Sequence, residues 1–250
     1  MKLLAALIFF TRLPFWRICQ VPGDYFKRIV PYWPLAGWLT GGIMAGVLWL
    51  AAQFLPLPLA WILAVFSRLF VTGCLHEDGL ADCFDAFGGG TTRERTLAIM
   101  KDSHIGSYGV IGLIGYFALL WMLIPLLPLH LACIVVFCGD CWSKFCASHL
   151  INVLPYARKE EESKAKVVYE RMTAKELIID LGCGILPTAL FLPLPLWIAC
   201  LMPILTFFGL YRLIKRRIQG YTGDCCGATF LLCELSFYLA AVIIYLNYMQ

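Results

Sequence analysis

Seven long apolar segments are the feature that most restricts the fold of this 250-residue chain. Each is close to the length of about 20 apolar residues that a helix needs to cross a bilayer. A soluble domain carries roughly 45–50% apolar residues, whereas 61% of this chain is hydrophobic. The sequence therefore predicts an all-α, polytopic membrane helix bundle that forms a single integral membrane domain over residues 1–250. The predicted spans are 34–54, 57–75, 107–126, 130–153, 176–194, 196–214 and 225–247.

The connections between these segments are of two kinds. Some are short, uncharged and rich in Pro and Leu, such as "FLPLP" at 54–58, and the others carry nearly all the charge. The two kinds alternate along the chain, so that Lys and Arg gather on one face, which the positive-inside rule assigns to the cytoplasm. The opening stretch, residues 3–16, is too short to cross and contains Arg12, and we expect an amphipathic helix on the membrane surface. The charged regions are the N-terminal 30 residues, 76–104, 154–177 and 211–222.

The segment "HEDGLADCFDAFGGG" at 76–90 places a cluster of acids beside an apolar span. Asp78, Asp82 and Asp85 are spaced four and three apart, so they share one face of a helix, with Glu77 on a neighbouring stripe. Carboxylates this close repel one another unless a cation lies between them. Mg²⁺ prefers oxygen ligands and is usually held by one or two carboxylates plus substrate phosphates. We therefore expect a magnesium site, although a solvated acidic loop is an alternative. The candidate ligands are Glu77, Asp78, Asp82, Asp85 and Asp102.

The next segment, "RERTLAIMKDSHIGSYG" at 93–109, supplies the opposite charge. Arg95, Lys101 and His104 can contact phosphate oxygens, although anchoring of the cytoplasmic face is an alternative. Asp102 can either join the metal ligands or orient Lys101. Backbone approach to a ligand is expected at Ser103, Gly106 and Gly109. Residues 76–107 are thus predicted to form a cytoplasmic catalytic loop.

A third candidate segment is "GYTGDCCGATFLLCE" at 220–234. It reads as a turn at the start of a helix, where backbone N–H groups favour anions. Thr222 and Asp224 are candidate substrate-binding residues, and Asp224 has the N-cap of the last helix as an equally plausible role. By contrast, the mixed-charge region 154–177 is predicted to be a solvated cytoplasmic helix or lid.

Four charged residues lie inside the apolar spans, where charge is costly and usually functional: Arg68, Asp140, Lys144 and Glu234. At 1.5 Å rise per residue they lie about 12–20 Å below the cytoplasmic surface. Asp140 and Lys144 are four apart and can pair on one helix face. Glu234 has no partner in its own span, so we expect it near a site.

An acidic metal site, basic phosphate contacts and a glycine turn on one face are typical of phosphoryl transfer. The segments that carry them resemble the cobalamin synthase family, also called adenosylcobinamide-GDP ribazoletransferases. These are integral membrane enzymes that join the last two parts of the cobalamin coenzyme. The matching segments are "FFTRLP" at 9–14, "HEDGLADCFDAFGGG" at 76–90, "RTLAIMKDSHIGSYG" at 95–109 and "YTGDCCGATFLLCE" at 221–234.

The resemblance implies a Mg²⁺-dependent reaction of adenosylcobinamide-GDP with α-ribazole, or its 5′-phosphate, in which GMP leaves. The acids would hold Mg²⁺ on the diphosphate while Arg95 and Lys101 neutralise developing charge. His76 or a carboxylate such as Asp82 would take the proton of the attacking hydroxyl. The implied setting is the bacterial cytoplasmic (inner) membrane, with the active site facing the cytoplasm, in contact with lipid and without nucleic acid. A homo-oligomer is compatible with it. Substrate-binding candidates are Ser103, His104, Gly106, Thr222, Asp224, Arg12, Lys144 and Glu234.

Two positions depart from the family pattern. His104 stands where the family more often has arginine, so the charge there depends on pH. Cys225 and Cys226 replace a less reactive pair, which raises the question of sensitivity to oxidation.

Two other classes of protein fit parts of the sequence. A CDP-alcohol phosphotransferase also uses aspartates, Mg²⁺ and membrane helices, but the run from Asp78 to Asp82 lacks the arginine and the wider aspartate spacing of its motif. A transporter would explain the charges inside the spans. Transport sites usually lie near the membrane midplane, whereas these charges gather toward one face.

Overall fold

The computed structural model describes residues 1–158 and 167–249, and this part of the chain is mostly helical. Short 3₁₀ segments connect some of the helices, and the pairing of Tyr156 with Tyr221 is an isolated β-bridge. The predicted all-α membrane bundle is confirmed. The α-helices are α1 (Lys2–Phe10), α2 (Trp33–Ala51), α3 (Leu57–Thr72), α4 (Leu75–Gly89), α5 (Arg93–Lys101), α6 (Ser107–Leu123), α7 (Leu129–Ser148), α8 (Leu150–Val153), α9 (Ala174–Phe191), α10 (Leu201–Ile218) and α11 (Gly223–Tyr248).

The number of spans is lower than the predicted seven. By length and composition, five helical segments of the described chain can cross a membrane, and α3 with α4 makes a sixth if that bent pair is one span. The predicted span 57–75 is interrupted because α3 ends at Thr72. The predicted span 176–194 corresponds to α9, which carries Lys175, Glu176 and Asp180 within its 18 residues. The five segments are Val30–Ala51, Ser107–Leu126, Leu129–Val153, Leu194–Ile218 and Gly223–Tyr248.

A 90° bend between α3 and α4 gives the acidic segment its direction. Gly73 and Cys74, at the bend, both have left-handed backbone angles, with φ of 65° and 57°. Such a conformation ends a helix and is easiest for glycine. The backbone N–H of Arg12 donates to the Val71 carbonyl at 2.6 Å, which ties the segment after α1 to the end of α3.

The N-terminal helix is shorter and less superficial than the sequence predicts. It ends at Phe10 rather than extending to residue 16. Ala5, Ala6 and Phe10 are buried in the core of the bundle. Since these small and aromatic side chains pack inward, α1 is a structural part of the bundle and contributes to its interior.

Side-chain contacts join the charged regions on one face, as the alternating connections predict. The Arg93 guanidinium donates to the carbonyls of Ile218 at 2.9 Å and Ala157 at 2.7 Å. The Arg158 guanidinium donates to the Leu97 carbonyl at 3.1 Å. Lys2 forms an ion pair of 2.9 Å with Glu176 at the start of α9. These contacts hold the N-terminal region and the three charged connections together at one end of the bundle.

Candidate active site

A cavity of about 360 Å³ lies where α1, α2, α4, α7 and α11 meet Tyr156, Arg158, Val167 and Tyr169. Most of its lining residues fall into two chemical groups. The polar and charged lining residues are His76, Asp78, Lys144, Arg158, Thr222 and Asp224. The aromatic lining residues are Phe9, Phe10, Trp33, Tyr156, Tyr169 and Phe230.

Two glycines allow α4 and α11 to approach closely enough to bring their polar residues together. A Cβ atom on Gly79 would lie 2.9 Å from the Asp224 Cα and 3.0 Å from its carbonyl oxygen. A Cβ atom on Gly227 would lie 3.2 Å from the His76 Cα. Small residues permit such backbone contact between membrane helices. The acidic segment and the glycine turn, about 140 residues apart in sequence, thus form one wall of the cavity.

Thr222, rather than Asp224, is the N-cap of α11. The Thr222 hydroxyl accepts a hydrogen bond from the Cys225 N–H at 3.3 Å. Asp224 lies in the first turn of the helix, where the helix dipole stabilises a carboxylate. The capping role considered for Asp224 is therefore wrong, and its side chain lies on the cavity wall.

Lys144 brings a cation to the cavity from α7. It pairs with Asp140 one turn earlier, which confirms the predicted pairing, and donates to the Thr40 hydroxyl at 3.0 Å. Its ammonium group lies 3.9 Å from the ring centroid of Phe230, within the range of a cation–π interaction. Because the side chain is 3% exposed, these contacts replace water around the charge.

His76 is buried among aromatic rings at the start of α4. Its imidazole stacks on Phe10, with centroids 6.0 Å apart, and meets the edge of Phe230 at 4.8 Å. Within the described part of the chain its Nδ1 has no hydrogen-bond partner. Buried polar atoms are normally paired, and unpaired ones call for an explanation such as catalysis or an absent ligand.

A buried ion pair stands beside these residues. Arg68 on α3 donates to both carboxylate oxygens of Glu234 on α11 at 2.5 and 2.6 Å. Arg68 also donates to the Tyr116 hydroxyl at 3.0 Å, and the Tyr238 hydroxyl donates to Glu234 at 2.8 Å. Glu234, predicted to contact substrate, is fully buried, outside the cavity lining, and paired with a cation from another span. The sequence analysis did not identify Arg68 as the partner of Glu234, because the two residues lie on different helices.

The whole chain was compared with known proteins. Residues 2–242 match the cobalamin-5-phosphate synthase family (CobS). The chain belongs to this family. The adenosylcobinamide-GDP ribazoletransferase of Shewanella sp. (strain W3-18-1) is 39% identical over 248 residues, covering 96% of this chain and 93% of that protein. The protein of the same name from Shewanella oneidensis is 36% identical over 246 residues, covering 96% of this chain and 92% of that protein. No solved structure matches.

Membership of the cobalamin synthase family confirms the resemblance seen in the sequence motifs. The match extends through nearly the whole chain, so it covers both α4 and α11 and the segments between them. The protein is therefore a membrane enzyme of cobalamin assembly.

The five candidate metal ligands of this cobalamin synthase do not form one shell. Glu77 is buried and lies 3.6 Å from Arg68, and Asp85 accepts hydrogen bonds from the backbone N–H groups of Gly106 at 2.7 Å and Gly109 at 2.8 Å. In the described residues, no group of three or more His, Cys, Asp or Glu is arranged to hold a metal ion. Of the five, only Asp78 is in the cavity lining, while Asp82 lies one turn further along α4.

Asp102 and His104 pair with each other on the exposed surface, at 2.7 Å. The backbone N–H of His104, followed by its imidazole, lowers the pKa of the Asp102 carboxyl. Residues 76–107 form α4, α5 and the short connection after each of them, and the second connection carries Asp102 and His104 outside the cavity lining. The predicted metal-binding role of Asp102 has no geometric support.

The other basic-segment candidates also lie away from the cavity of this cobalamin synthase. Arg95, Lys101 and Ser103 are exposed and outside its lining, and so is Arg12. Gly106 is used to hold Asp85. On α5, Arg95 and Lys101 are exposed because the helix packs against its neighbours through other residues, such as the buried Thr96 and Met100.

Arg158 is a cavity residue that the sequence did not single out. It lies at the start of the mixed-charge run "ARKEEESKAK", where nothing distinguishes it from the other cations. Residues 159–166 of the predicted lid lie outside the described residues, but the described flanks of that run, including Tyr156 and Tyr169, line the cavity instead of facing solvent. The aromatic residues on either side of this charged run were the sequence signal that could have shown that it lines the cavity.

Proposed function

We propose that this protein transfers the cobinamide phosphate of adenosylcobinamide-GDP to a ribose hydroxyl of α-ribazole, or of its 5′-phosphate, and releases GMP. Relatives at 36–39% identity bear the name of this activity. The observation that carries the proposal is a shared cavity for two acids, Asp78 and Asp224, and two cations, Lys144 and Arg158. Such a set suits a diphosphate substrate whose charge increases during transfer.

The proposed reaction is a displacement at phosphorus. The ribose hydroxyl oxygen forms a bond to the phosphorus that carries the cobinamide arm, and the bridging P–O bond of the diphosphate breaks. GMP leaves with the bridging oxygen and the electron pair of that bond. His76 lines the cavity and takes the hydroxyl proton in this scheme. Lys144 and Arg158 neutralise charge on the phosphate oxygens.

The residues at the cavity fit a magnesium ion in part. Asp78 and Asp224 supply two carboxylates at one wall, and Mg²⁺ is usually held by one or two carboxylates together with substrate phosphates and water. When bound there, the ion would neutralise charge on the diphosphate. Asp82, also on α4, is a further candidate contact. We place the enzyme in the bacterial inner membrane with this cavity toward the cytoplasm, since the charged connections converge at its end of the bundle.

The test is GMP release by the purified full-length protein in nanodiscs. We expect GMP when adenosylcobinamide-GDP, α-ribazole and Mg²⁺ are all present, and its loss when either substrate is omitted or EDTA is added. GMP formed without α-ribazole would indicate a hydrolase. No GMP from folded protein would refute the proposed reaction.

Substitutions connect the activity to the cavity. Asp78→Asn and Asp224→Asn are each expected to lower turnover by about 100-fold or more, since even residues that only support metal ligands are worth 10–100-fold. Glu94→Gln is the matched control, because the Glu94 side chain is 79% exposed. Equal turnover of Asp78→Asn and Glu94→Gln would remove Asp78 from the reaction.

A further inference from the structure

Aromatic rings form a continuous wall on the side of the cavity contributed by α1, α2 and the segment that precedes α9. The ring of Tyr169 meets those of Phe9 and Trp33 edge-on, at 5.9 and 5.6 Å between centroids. Trp33 meets Phe10 at 5.3 Å, and Phe10 stacks on His76. The wall therefore runs without interruption to the imidazole beside Asp78. The reaction proposed above, at the diphosphate, uses the His76 imidazole at the end of this wall and none of its other aromatic rings.

Two polar atoms in this wall lack partners within the described residues. They are the indole Nε1 of Trp33 and the imidazole Nδ1 of His76, both in side chains that are 4% exposed. A buried donor or acceptor without a partner is destabilising, and a ligand group of the right kind relieves that cost. The indole N–H can only donate, and because it is not exposed to the cavity in this structure, an acceptor on a ligand reaches it only after the Trp33 ring turns.

The cavity is too small to enclose both substrates completely. At about 360 Å³ it lies near the lower end of the 300–1,000 Å³ range of ligand pockets. A nucleoside fits a space of this size, whereas a corrin macrocycle with its amide arms is far larger. The corrinoid must then lie outside the cavity, with only its phosphate arm directed inward.

We propose that the aromatic wall binds the base of the incoming α-ribazole, and thereby selects a flat, apolar bicyclic base. This inference rests on the proposed function. A benzimidazole has two aromatic rings to stack on the wall and one free ring nitrogen, which can accept from the Trp33 N–H once that ring turns toward it. With the base against Phe9 and Tyr169, the ribose lies toward His76, where its hydroxyl has to lose a proton.

The guanine base of the other substrate suits this wall less well. Its edge carries several N–H donors and a carbonyl oxygen that all need partners. A site that leaves such groups unpaired discriminates strongly against them. The wall offers one indole N–H, one imidazole nitrogen and the Tyr169 hydroxyl, which are fewer polar groups than the edge of guanine needs, so the guanosine half of adenosylcobinamide-GDP is expected elsewhere.

The test compares Michaelis constants for the two substrates in the full-length enzyme. Phe9→Leu and Tyr169→Leu are each expected to raise the KM for α-ribazole about tenfold, in the range of one base–aromatic stacking contact. Their KM for adenosylcobinamide-GDP is expected to stay within about twofold. Tyr245→Leu is the matched control, because Tyr245 is also half-buried but lies outside the cavity lining. Calorimetry of α-ribazole binding without the second substrate is expected to show the same tenfold weakening.

The outcomes separate this inference from the proposed function. Wild-type enzyme that forms no GMP would refute the function itself. Wild-type turnover combined with a rise in the KM for adenosylcobinamide-GDP alone, or with equal rises for both substrates, would refute the base site while the function stands. If guanosine competes with α-ribazole as strongly as a benzimidazole riboside does, that result would also refute the base site. Two variants on different elements guard against loss of folding in one of them.

Discussion

The close contact of α4 with α11 can be tested by adding one methyl group. In Gly79→Ala the new Cβ would lie 2.9 Å from the Asp224 Cα, whereas ordinary carbon contacts begin at about 3.5 Å. Both atoms belong to backbone or near-backbone positions, so no flexible side chain can move aside. The helices therefore have to separate by about 0.6 Å, which displaces Asp224 from Asp78 across the cavity wall.

We expect a large loss of activity with a small loss of stability. Overpacking costs about 1–3 kcal/mol, while alanine in place of glycine inside a helix returns about 0.8–1 kcal/mol. The net change in the free energy of unfolding is therefore about 0–2 kcal/mol. Turnover is expected to fall by about 10–100-fold, because displacements approaching 1 Å in an active site have effects up to that size.

The assay is GMP release in nanodiscs combined with thermal unfolding of the same preparations. Gly209→Ala on α10 is the control, because a Cβ there meets nothing within 4 Å. This control is expected to retain turnover within about twofold. Gly79→Ala with wild-type turnover and wild-type stability would refute the claim that this contact positions the site.

Two further predictions concern arginines. Arg68→Met leaves a buried carboxylate without its cation and is expected to cost about 3–5 kcal/mol of stability, measured by thermal unfolding in detergent. The double variant with Glu234→Leu is expected to recover most of that loss, and no recovery would contradict the pairing. Arg158→Gln is expected to lower kcat/KM about tenfold or more, whereas exposed Arg95→Gln stays within about twofold. Equal losses of kcat/KM for the two variants in the GMP assay would show that Arg95 also belongs to the active site.

Local patterns predicted the membrane bundle and much of the acidic segment. Helical spacing placed Asp140 and Lys144 in one pair, and the pair is present. Apolar length predicted spans, but it missed the bend at Gly73, because the left-handed turn interrupts an apolar run without changing its composition. The sequence predicted a cytoplasmic loop for residues 76–107, most of which lie in α4 and α5.

Helical spacing also grouped carboxylates that the fold separates. Asp78 and Asp85 share a face of α4, but backbone N–H groups at the start of α6 take Asp85. The side chain of Glu77 lies near Arg68. A pattern of charge shows which residues have to be neutralised, but it does not show whether a metal, an arginine or a helix terminus does so.

The sequence by itself determined that this chain crosses a membrane, gathers its charge at one end and belongs with the cobalamin synthases, because apolar length, charge alternation and motifs are properties of contiguous residues. Only the tertiary structure decided which charges meet. The contacts between Arg68 and Glu234, between Gly79 and Asp224, and between α1 and the cavity join residues distant in sequence. Such contacts depend on how closely helices approach and which side chains already have partners, and neither is set by local spacing.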